Sequence, residues 1–548
     1  MTEQITVAEA IGRTLATTGA THAFGVVGSG NFHMTNALIN AGVTFTASRN
    51  EMGAALMADA HGRLTGTAAI VSVHQGGGYL NALTGVLEAV KAHTPMLVLS
   101  GGVARGDTVS NFHLDQARVA EGVGAVPWAI STARSAVGDV AAAYHATITR
   151  RVPVVLTVPV DLQEEMVDWA ADLVPPHPPI VPAGADATAI AGLVDLLANA
   201  QRPVIVGGRG AHAAKGELRA LGAASGALLV ASGGGRGIFV GDEWALDVMG
   251  GFATDGAAEL IGDADLLVVF GTALTKWTAR GGTLTDGRRI VQVDDRPEAI
   301  GLHRPVELAI VGDAALVARA ATEELRRRHP DGRTAYRTPD VHERVQRFRY
   351  WSDQPVASRA TATHVDPAEL SVHLDRLLPL ERVVVPDGGN VNAYAGAFFR
   401  VPDENGYVLD LASQSIGCGL AEGIGAAIAR PDRLPLVATG DGSLLMNAVE
   451  LETAARLGLG LLVLVYDDAA YGAEVHIFHD SDQKETVVFP DVDIAAIARG
   501  YGCEAITVRA LADLAPLDVW LDGPRDRPFV IDAKIEGFAS PLMIQDMH

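Results

Sequence analysis

The sequence predicts an α/β protein built from three parallel-sheet units in tandem. Short apolar runs alternate with segments long enough for helices, the pattern of βαβ units whose sheet is covered on both faces. The alternation breaks twice, at a proline-rich passage (175–179, with Pro182) and at a polar, arginine-rich stretch over 326–366. At 548 residues and 48% hydrophobic content, the chain is too long for one domain and too apolar for disorder.

In the first unit, Thr6 and Glu9 have the spacing of a capping box that opens a helix. Apolar runs at 22–27, 43–47, 68–74 and 95–100 read as strands. The proline-rich passage reads as a linker. The second unit has strands at 203–206, 228–231, 265–271 and 289–294. The break that follows carries Arg326, Arg327, Arg328, Arg333, Arg337, Arg344, Arg347 and Arg349. It reads as a solvated helix and linker, with an anion or partner contact as the alternative. In the third unit, 382–386, 435–439, 460–466 and 528–533 read as strands, and 416–430 and 447–457 as helices. These boundaries place the units at 1–172, 185–330 and 365–548. The outer two look alike in kind, as after a duplication, and no short-period repeat is present.

Composition excludes several classes of function. Lys and Arg total 42 against 65 Asp and Glu, a net charge of −23. That argues against nucleic acid or an anionic membrane as partner. The two cysteines, Cys418 and Cys503, are far apart and suit neither a disulfide scaffold nor a zinc site. The opening MTEQITVAEA lacks the basic-then-apolar pattern of a signal peptide, and no apolar run reaches the roughly 18 residues of a membrane span. The expectation is a cytoplasmic protein.

The stretch richest in chemistry is Gly440-Asp441-Gly442-Ser443, directly after an apolar strand. Gly440 and Gly442 let backbone amides approach a phosphate, and Ser443 opens a helix whose positive end favours anions. A second strand ends in Asp467-Asp468-Ala469-Ala470-Tyr471-Gly472. Asp441 and Asp468 lie 27 residues apart, at the ends of two strands joined by one crossover, so a parallel sheet can bring them together. Two carboxylates beside a phosphate site suit Mg²⁺.

This segment resembles the thiamin-diphosphate motif, a GDG followed about 25 residues later by an Asn pair. The chain resembles, over nearly its full length, the family of acetolactate synthase, benzoylformate decarboxylase and pyruvate decarboxylase. The resemblance implies three Rossmann-like domains: pyrimidine-binding, central and diphosphate-binding. It implies thiamin diphosphate and Mg²⁺ as cofactors, with Asp441, Asp468 and the Ala470 carbonyl as metal ligands. One departure matters: Asp467 and Asp468 stand where the family has Asn, which adds negative charge near the diphosphate. FAD in the central domain stays open, without a positive indication. The run from Ser48 to Arg63 resembles the family's glutamate helix. There Glu51 would keep a pyrimidine nitrogen protonated, promoting the imino tautomer that forms the ylid. Ile416 takes the place of the apolar residue that bends the cofactor, and Gly388, Gly389 and Asn390 form a further diphosphate-contacting turn. Tyr471 and Gly472 complete the cofactor-binding set with Gly440, Gly442 and Ser443.

Four polar side chains align with substrate-facing positions of the family. Ser29 and His74 fall where benzoylformate decarboxylase has an active-site serine and histidine. His113 falls near the glutamine that acetolactate synthase places over the cofactor, and Glu474 where pyruvate decarboxylase has its catalytic glutamate. An imidazole or carboxyl group there can protonate a carbanion-enamine. Where acetolactate synthase has a GPG turn, this chain has His74-Gln75-Gly76-Gly77-Gly78. The expected function is a C–C lyase or carboligase, most simply decarboxylating a 2-oxo acid. An acetolactate-synthase-like acyloin-forming transferase and a 2-hydroxyacyl-thioester lyase are the alternatives. A non-catalytic cofactor-binding subunit is disfavoured by the presence of Glu51. A nicotinamide enzyme is disfavoured because Gly28-Ser29-Gly30 lacks the last glycine of its fingerprint. The resemblance further implies a homodimer at least, and a homotetramer as the fuller assembly, because Glu51 of one chain meets the diphosphate-binding domain of another.

Overall fold

A computed structural model describes residues 2–538 and 540. It contains three wholly parallel sheets and one antiparallel ribbon. The first sheet has six strands in the order Thr44–Ala47, His22–Gly25, Ala69–Val73, Met96–Gly102, Pro153–Pro159, Val126–Ala129. The second runs Ala245–Val248, Leu228–Ala231, Pro203–Gly207, Leu266–Phe270, Arg289–Asp294, Leu308–Val311. The third runs Arg382–Pro386, Leu434–Gly440, Leu462–Asp467, Phe529–Lys534, Glu504–Val508. The central strands are buried on both faces, as parallel strands sandwiched by helices must be.

The capping box at Thr6 is present: the Glu9 amide donates to the Thr6 hydroxyl, and the Thr6 amide donates back to Glu9 Oε2 at 3.0 Å. The strand before it, Glu3–Thr6, pairs antiparallel with Met166–Trp169 and ties the start of the first unit to its end. Residues 175–186 carry neither helix nor strand.

The arginine-rich stretch, expected as a solvated helix and linker, is helical in part but is packed onto the central unit rather than solvated throughout. Its first arginines end the helix Ala314–Arg328, and Pro339–Phe348 forms a second helix that buries Val341 and Val345. The arginines reach fixed acceptors on the central unit. Arg328 bonds Glu324 and Asp195, Arg333 donates to the Leu197 and Ala200 carbonyls, and Arg337 donates to the Ala227 carbonyl at 2.8 Å. Apart from Glu324, one helical turn before Arg328, these partners lie more than 100 residues away in sequence, so no local pattern announced them. The helix expected over 416–430 spans Gly419–Ala429, and that expected over 447–457 is shorter, Glu450–Arg456.

The first and third units share one apolar core. It is built around the helix Glu51–Thr65, which lies against Gly419–Ala429. Ala54, Ala55, Ala58 and Ala60 on one side, and Ala421, Gly425 and Ala426 on the other, bring the two backbones close. A Cβ added to Gly425 would stand 2.3 Å from the Met57 carbonyl oxygen, which no rotamer change relieves. Gly425→Val is therefore expected to cost about 3 kcal/mol or more, by forcing the helices apart. Urea unfolding followed by circular dichroism measures this, and an unchanged midpoint would contradict the close packing.

Candidate active site

Three adjacent strands of the third sheet deliver the diphosphate-side residues. Arg382–Pro386 runs into Asp387-Gly388-Gly389-Asn390, Leu434–Gly440 into Asp441-Gly442-Ser443, and Leu462–Asp467 into Asp468-Ala469-Ala470-Tyr471-Gly472. Parallel pairing puts all three turns at the C-terminal edge of the sheet, where such sheets bind ligands. Gly388, Gly389, Asn390, Ile416, Gly440, Gly442, Ser443, Asp468, Ala470, Tyr471, Gly472 and Glu474 line one cavity of about 1030 Å³. The cavity continues to Arg209, His212 and Arg296 of the central unit.

Local geometry explains the glycines here. Gly389 has φ +95°, with open space where a side chain would point. A Cβ on Gly442 would stand 2.6 Å from the Tyr471 ring. Ile416 approaches the turn closely, its Cγ2 lying 2.8 Å from where a Gly388 Cβ would be. The buried Asp387 carboxylate organises the turn, accepting from the Gly388 amide at 2.7 Å, the Gly417 amide at 3.1 Å and the Thr439 hydroxyl at 2.9 Å.

Asp441 and Asp468 present two carboxyl groups, the first buried and the second half-buried, at the ends of neighbouring strands. Burial, then Asp467 and Asp468, push the Asp441 carboxyl up to about 7. Burial, then Asp467, push Asp468 up to about 6. Asp441 Oδ1 is buried and, among the described residues, has no hydrogen-bond partner. These oxygens fit a hard divalent ion, whose charge would favour the ionised carboxylates in place of bound protons.

Asp467 differs from its neighbour in having a counter-ion. Lys534, buried at the end of the adjacent strand, donates to Asp467 at 2.5 Å, to Asp491 at 2.6 Å and to the Val492 carbonyl at 3.0 Å. Burial alone would lower the ammonium, but these carboxylates outweigh it and raise it. The other Asp467 oxygen accepts from the Ala469 amide at 3.0 Å, and Ala469 sits at φ +52°. The Asp467–Lys534 pair thus fixes the strained turn that presents Asp468 and Ala470.

The first sheet repeats the arrangement. Three adjacent strands, Thr44–Ala47, His22–Gly25 and Ala69–Val73, lead to Glu51, Ser29 and His74 respectively. His74 Nδ1 lies 2.8 Å from the Gln75 carbonyl oxygen, so it must be the protonated nitrogen. In the neutral ring, Nε2 then offers its lone pair to the Ser29 hydroxyl at 3.3 Å. Gly28 makes room for this imidazole, since a Cβ there would stand 2.7 Å from its ring, and a Cβ on Gly78 would stand 3.0 Å from Glu51 Oε1 and 3.1 Å from the His74 Cβ. Asn81 donates to the Glu51 carboxylate at 3.2 Å. Phe112 packs edge-on to His74, with ring centroids 4.8 Å apart. His113, the residue singled out in the sequence, lies exposed one position further on, its amide held by the Ser110 carbonyl. Phe112, Asn81 and Lys534 had no sequence signal of their own.

One chain does not bring the two halves together. Glu51, Ser29 and His74 line no part of the cavity that the diphosphate-side turns line. Both halves carry exposed apolar side chains nearby: Phe32, Leu80 and Phe112 on one, and Leu445, Met446 and Phe478 on the other.

A second loop is fastened from the first unit. Arg63, at the far end of the Glu51–Thr65 helix, is buried and bonds Asp59 at 2.5 Å, Glu88 at 2.7 Å and the Leu409 carbonyl at 2.6 Å. Glu88 accepts from the Ala412 and Ser413 amides at 3.0 and 2.7 Å. This fixes the loop leading to Ile416. Nearby, burial and then neighbouring acids push Asp410 well above the carboxylate range. Burial likewise pushes Glu422 well above it, with Asp59 and Glu88 adding to the rise against the Arg63 charge.

Two outcomes test this geometry. Lys534→Met leaves Asp467 buried without its partner, with an expected loss of about 3–5 kcal/mol of stability. Adding Asp467→Asn should recover a measurable part of that loss in the same denaturation assay. In cation-free protein, raised carboxyl pKa values mean that the folded state binds protons more tightly than the unfolded one. Stability is then gained as pH falls through about 7 and 6 for Asp441 and Asp468. Melting in EDTA between pH 8 and 6 should show that gain, and Asp468→Asn should flatten it.

The comparisons agree with this architecture. Residues 5–120 match the N-terminal TPP-binding domain of thiamine pyrophosphate enzymes, residues 190–321 their central domain and residues 387–533 their C-terminal TPP-binding domain. The chain is 28% identical over 529 residues to a Pseudomonas aeruginosa protein described as a probable 2-ketoarginine decarboxylase, covering 94% of this chain and 91% of that one. It is 26% identical to the acetolactate synthase large subunit of Parasynechococcus marenigrum, covering 84% and 76% of the two chains. It is 25% identical to the sulfoacetaldehyde acetyltransferase of Castellaniella defragrans, covering 94% and 90%. No helix among the described residues is long and apolar enough to cross a membrane. With all three domains matched in order, the chain belongs to the thiamin-diphosphate (thiamine pyrophosphate) dependent enzymes.

Proposed function

We propose that this enzyme is a Mg²⁺-dependent lyase that decarboxylates a 2-oxo acid, with carboligase capacity, and that it acts as a homodimer at least, with a homotetramer as the fuller assembly. The observation that carries the reading is the Ser29–His74 pair beside Glu51, a proton-transfer couple at the edge that would face the cofactor. Asp441, Asp468 and the Ala470 carbonyl would hold the ion, and the glycine turns at 388–389 and 440–442 would hold the diphosphate. Thiamin diphosphate, when bound, supplies the electron sink for the pair released as CO₂ departs.

The chain's own residues supply the rest. Glu51, oriented by Asn81, holds a proton at the pyrimidine ring. His74 Nε2 exchanges a proton with the Ser29 hydroxyl and can pass it to the product carbon. Glu474 approaches from the diphosphate side as a second proton carrier. Phe112 shields the imidazole from water. Because the halves lie apart in one chain, a second copy must supply Glu51, Ser29 and His74 to each diphosphate site. The exposed apolar side chains around both halves support that closure.

The acetolactate synthase and acetyltransferase relatives favour a second reading, acyl transfer to an acceptor. A panel of 2-oxo acids, including one with a guanidinium side chain, and of 2-hydroxyacyl thioesters distinguishes the two. Aldehyde and CO₂ indicate the lyase, and acyloin or acyl ester the transferase. Glu51→Gln is expected to lower turnover by about 10²-fold or more. EDTA treatment should abolish activity and Mg²⁺ restore it. Turnover within twofold of the parent for Glu51→Gln would remove Glu51 from the reaction.

A further inference from the structure

The turn that delivers Glu51 is gripped by the third unit of the same chain. Arg456 donates to the Ala47 carbonyl at 2.5 Å, and Arg49 forms a two-point pair with Glu452 at 2.6 and 2.7 Å. Deeper in, Glu450 Oε1 accepts from two successive amides, Arg49 at 3.1 Å and Asn50 at 2.9 Å. The other Glu450 oxygen accepts from the Thr453 hydroxyl at 2.6 Å. Glu450 is fully buried and, among the described residues, takes no salt bridge. Burial disfavours the charged form of this carboxyl, and the Thr453 hydroxyl, the Asn50 and Arg49 amides and the nearby Arg456 charge offset it in part. What the acid provides is a strong, charge-assisted acceptor for two backbone donors immediately before Glu51.

On the reading that Glu51 serves thiamin diphosphate, we infer that Glu450 is a positioning residue for Glu51. Holding the amides of residues 49 and 50 fixes the backbone that enters the helix Glu51–Thr65. Asn50 then caps that helix, accepting from the Met52 amide at 2.8 Å, and Asn81 orients the carboxylate itself. The fit is close: a Cβ on Gly53 would stand 2.4 Å from Glu450 Oε1, so the glycine admits the acid. Glu450 also begins the helix directly after Asp441–Asn447. The segment that presents one metal-side carboxylate therefore continues into the one that places the pyrimidine-side carboxylate.

The test uses the full-length protein with Glu450→Ala, Glu450→Gln and Thr453→Val. In cofactor-free protein, amide hydrogen exchange of a peptide over 47–56 should be at least tenfold faster in Glu450→Ala, with a peptide over 434–444 unchanged. With Mg²⁺ and thiamin diphosphate added, deuterium exchange at the thiazolium carbon should slow at least tenfold, while cofactor affinity changes less than threefold. Glu450→Gln keeps the accepting oxygen and should stay within threefold of the parent on both readouts. Thr453→Val, which only frees the acid to swing, should fall between and covers the case in which Glu450→Ala does not fold. Thiazolium exchange within twofold of the parent in Glu450→Ala, or in Thr453→Val if that is the variant that folds, overturns the inference. Affinity lost in parallel with exchange overturns it too, by showing general damage. A parent that fails to accelerate exchange over free cofactor instead removes the reading of Glu51, and the inference falls with it.

Discussion

Everything at this site depends on one contact, the packing of the helix Glu51–Thr65 against Gly419–Ala429. It joins two sheets from distant parts of the chain into one core, and small residues let the helix axes approach until backbone meets backbone. Both ends of the first helix reach parts of the proposed site. Its N-terminus presents Glu51, and its last turn sends Arg63 to the loop that leads to Ile416. A rigid helix rising about 1.5 Å per residue sets the separation of those two points by covalent geometry alone.

The chemistry is split across two sheet edges that follow the same plan. In each, three neighbouring parallel strands end in turns rich in glycine and carry the polar groups. The first edge carries Glu51, Ser29 and His74, to which the proposed function gives the proton transfers. The third carries the glycine turns with Asp441 and Asp468, to which it gives the diphosphate and the ion.

Much of this was legible in the sequence because parallel strands buried on both faces are unbroken apolar runs. Leu228–Ala231, Arg289–Asp294 and Arg382–Pro386 match the expected limits. The GDG turn and the second acid were readable for the same reason: each follows such a run directly. Strands at sheet edges were not readable. Val126–Ala129 is partly exposed and contains proline, and Glu504–Val508 is half-exposed and begins with an acid, so neither shows the buried pattern. Glu450 lies in a segment, Glu450–Arg456, that reads as an ordinary solvated helix. Its burial is decided by the 47–50 turn, some 400 residues earlier. That Phe112 rather than His113 packs against His74 is a matter of loop geometry, which no periodicity encodes.

Asp410 and Glu422 have a consequence for the whole molecule. Burial raises both carboxyl groups well above the range of an unfolded chain, so the fold holds their protons more tightly than the unfolded chain does. Unfolding must therefore discharge acid into the solvent, and the native state loses ground as the medium grows more alkaline. The enthalpy of that discharge would register differently in buffers of unlike ionisation heat, so the interior of this protein is chemically visible from outside without any ligand present.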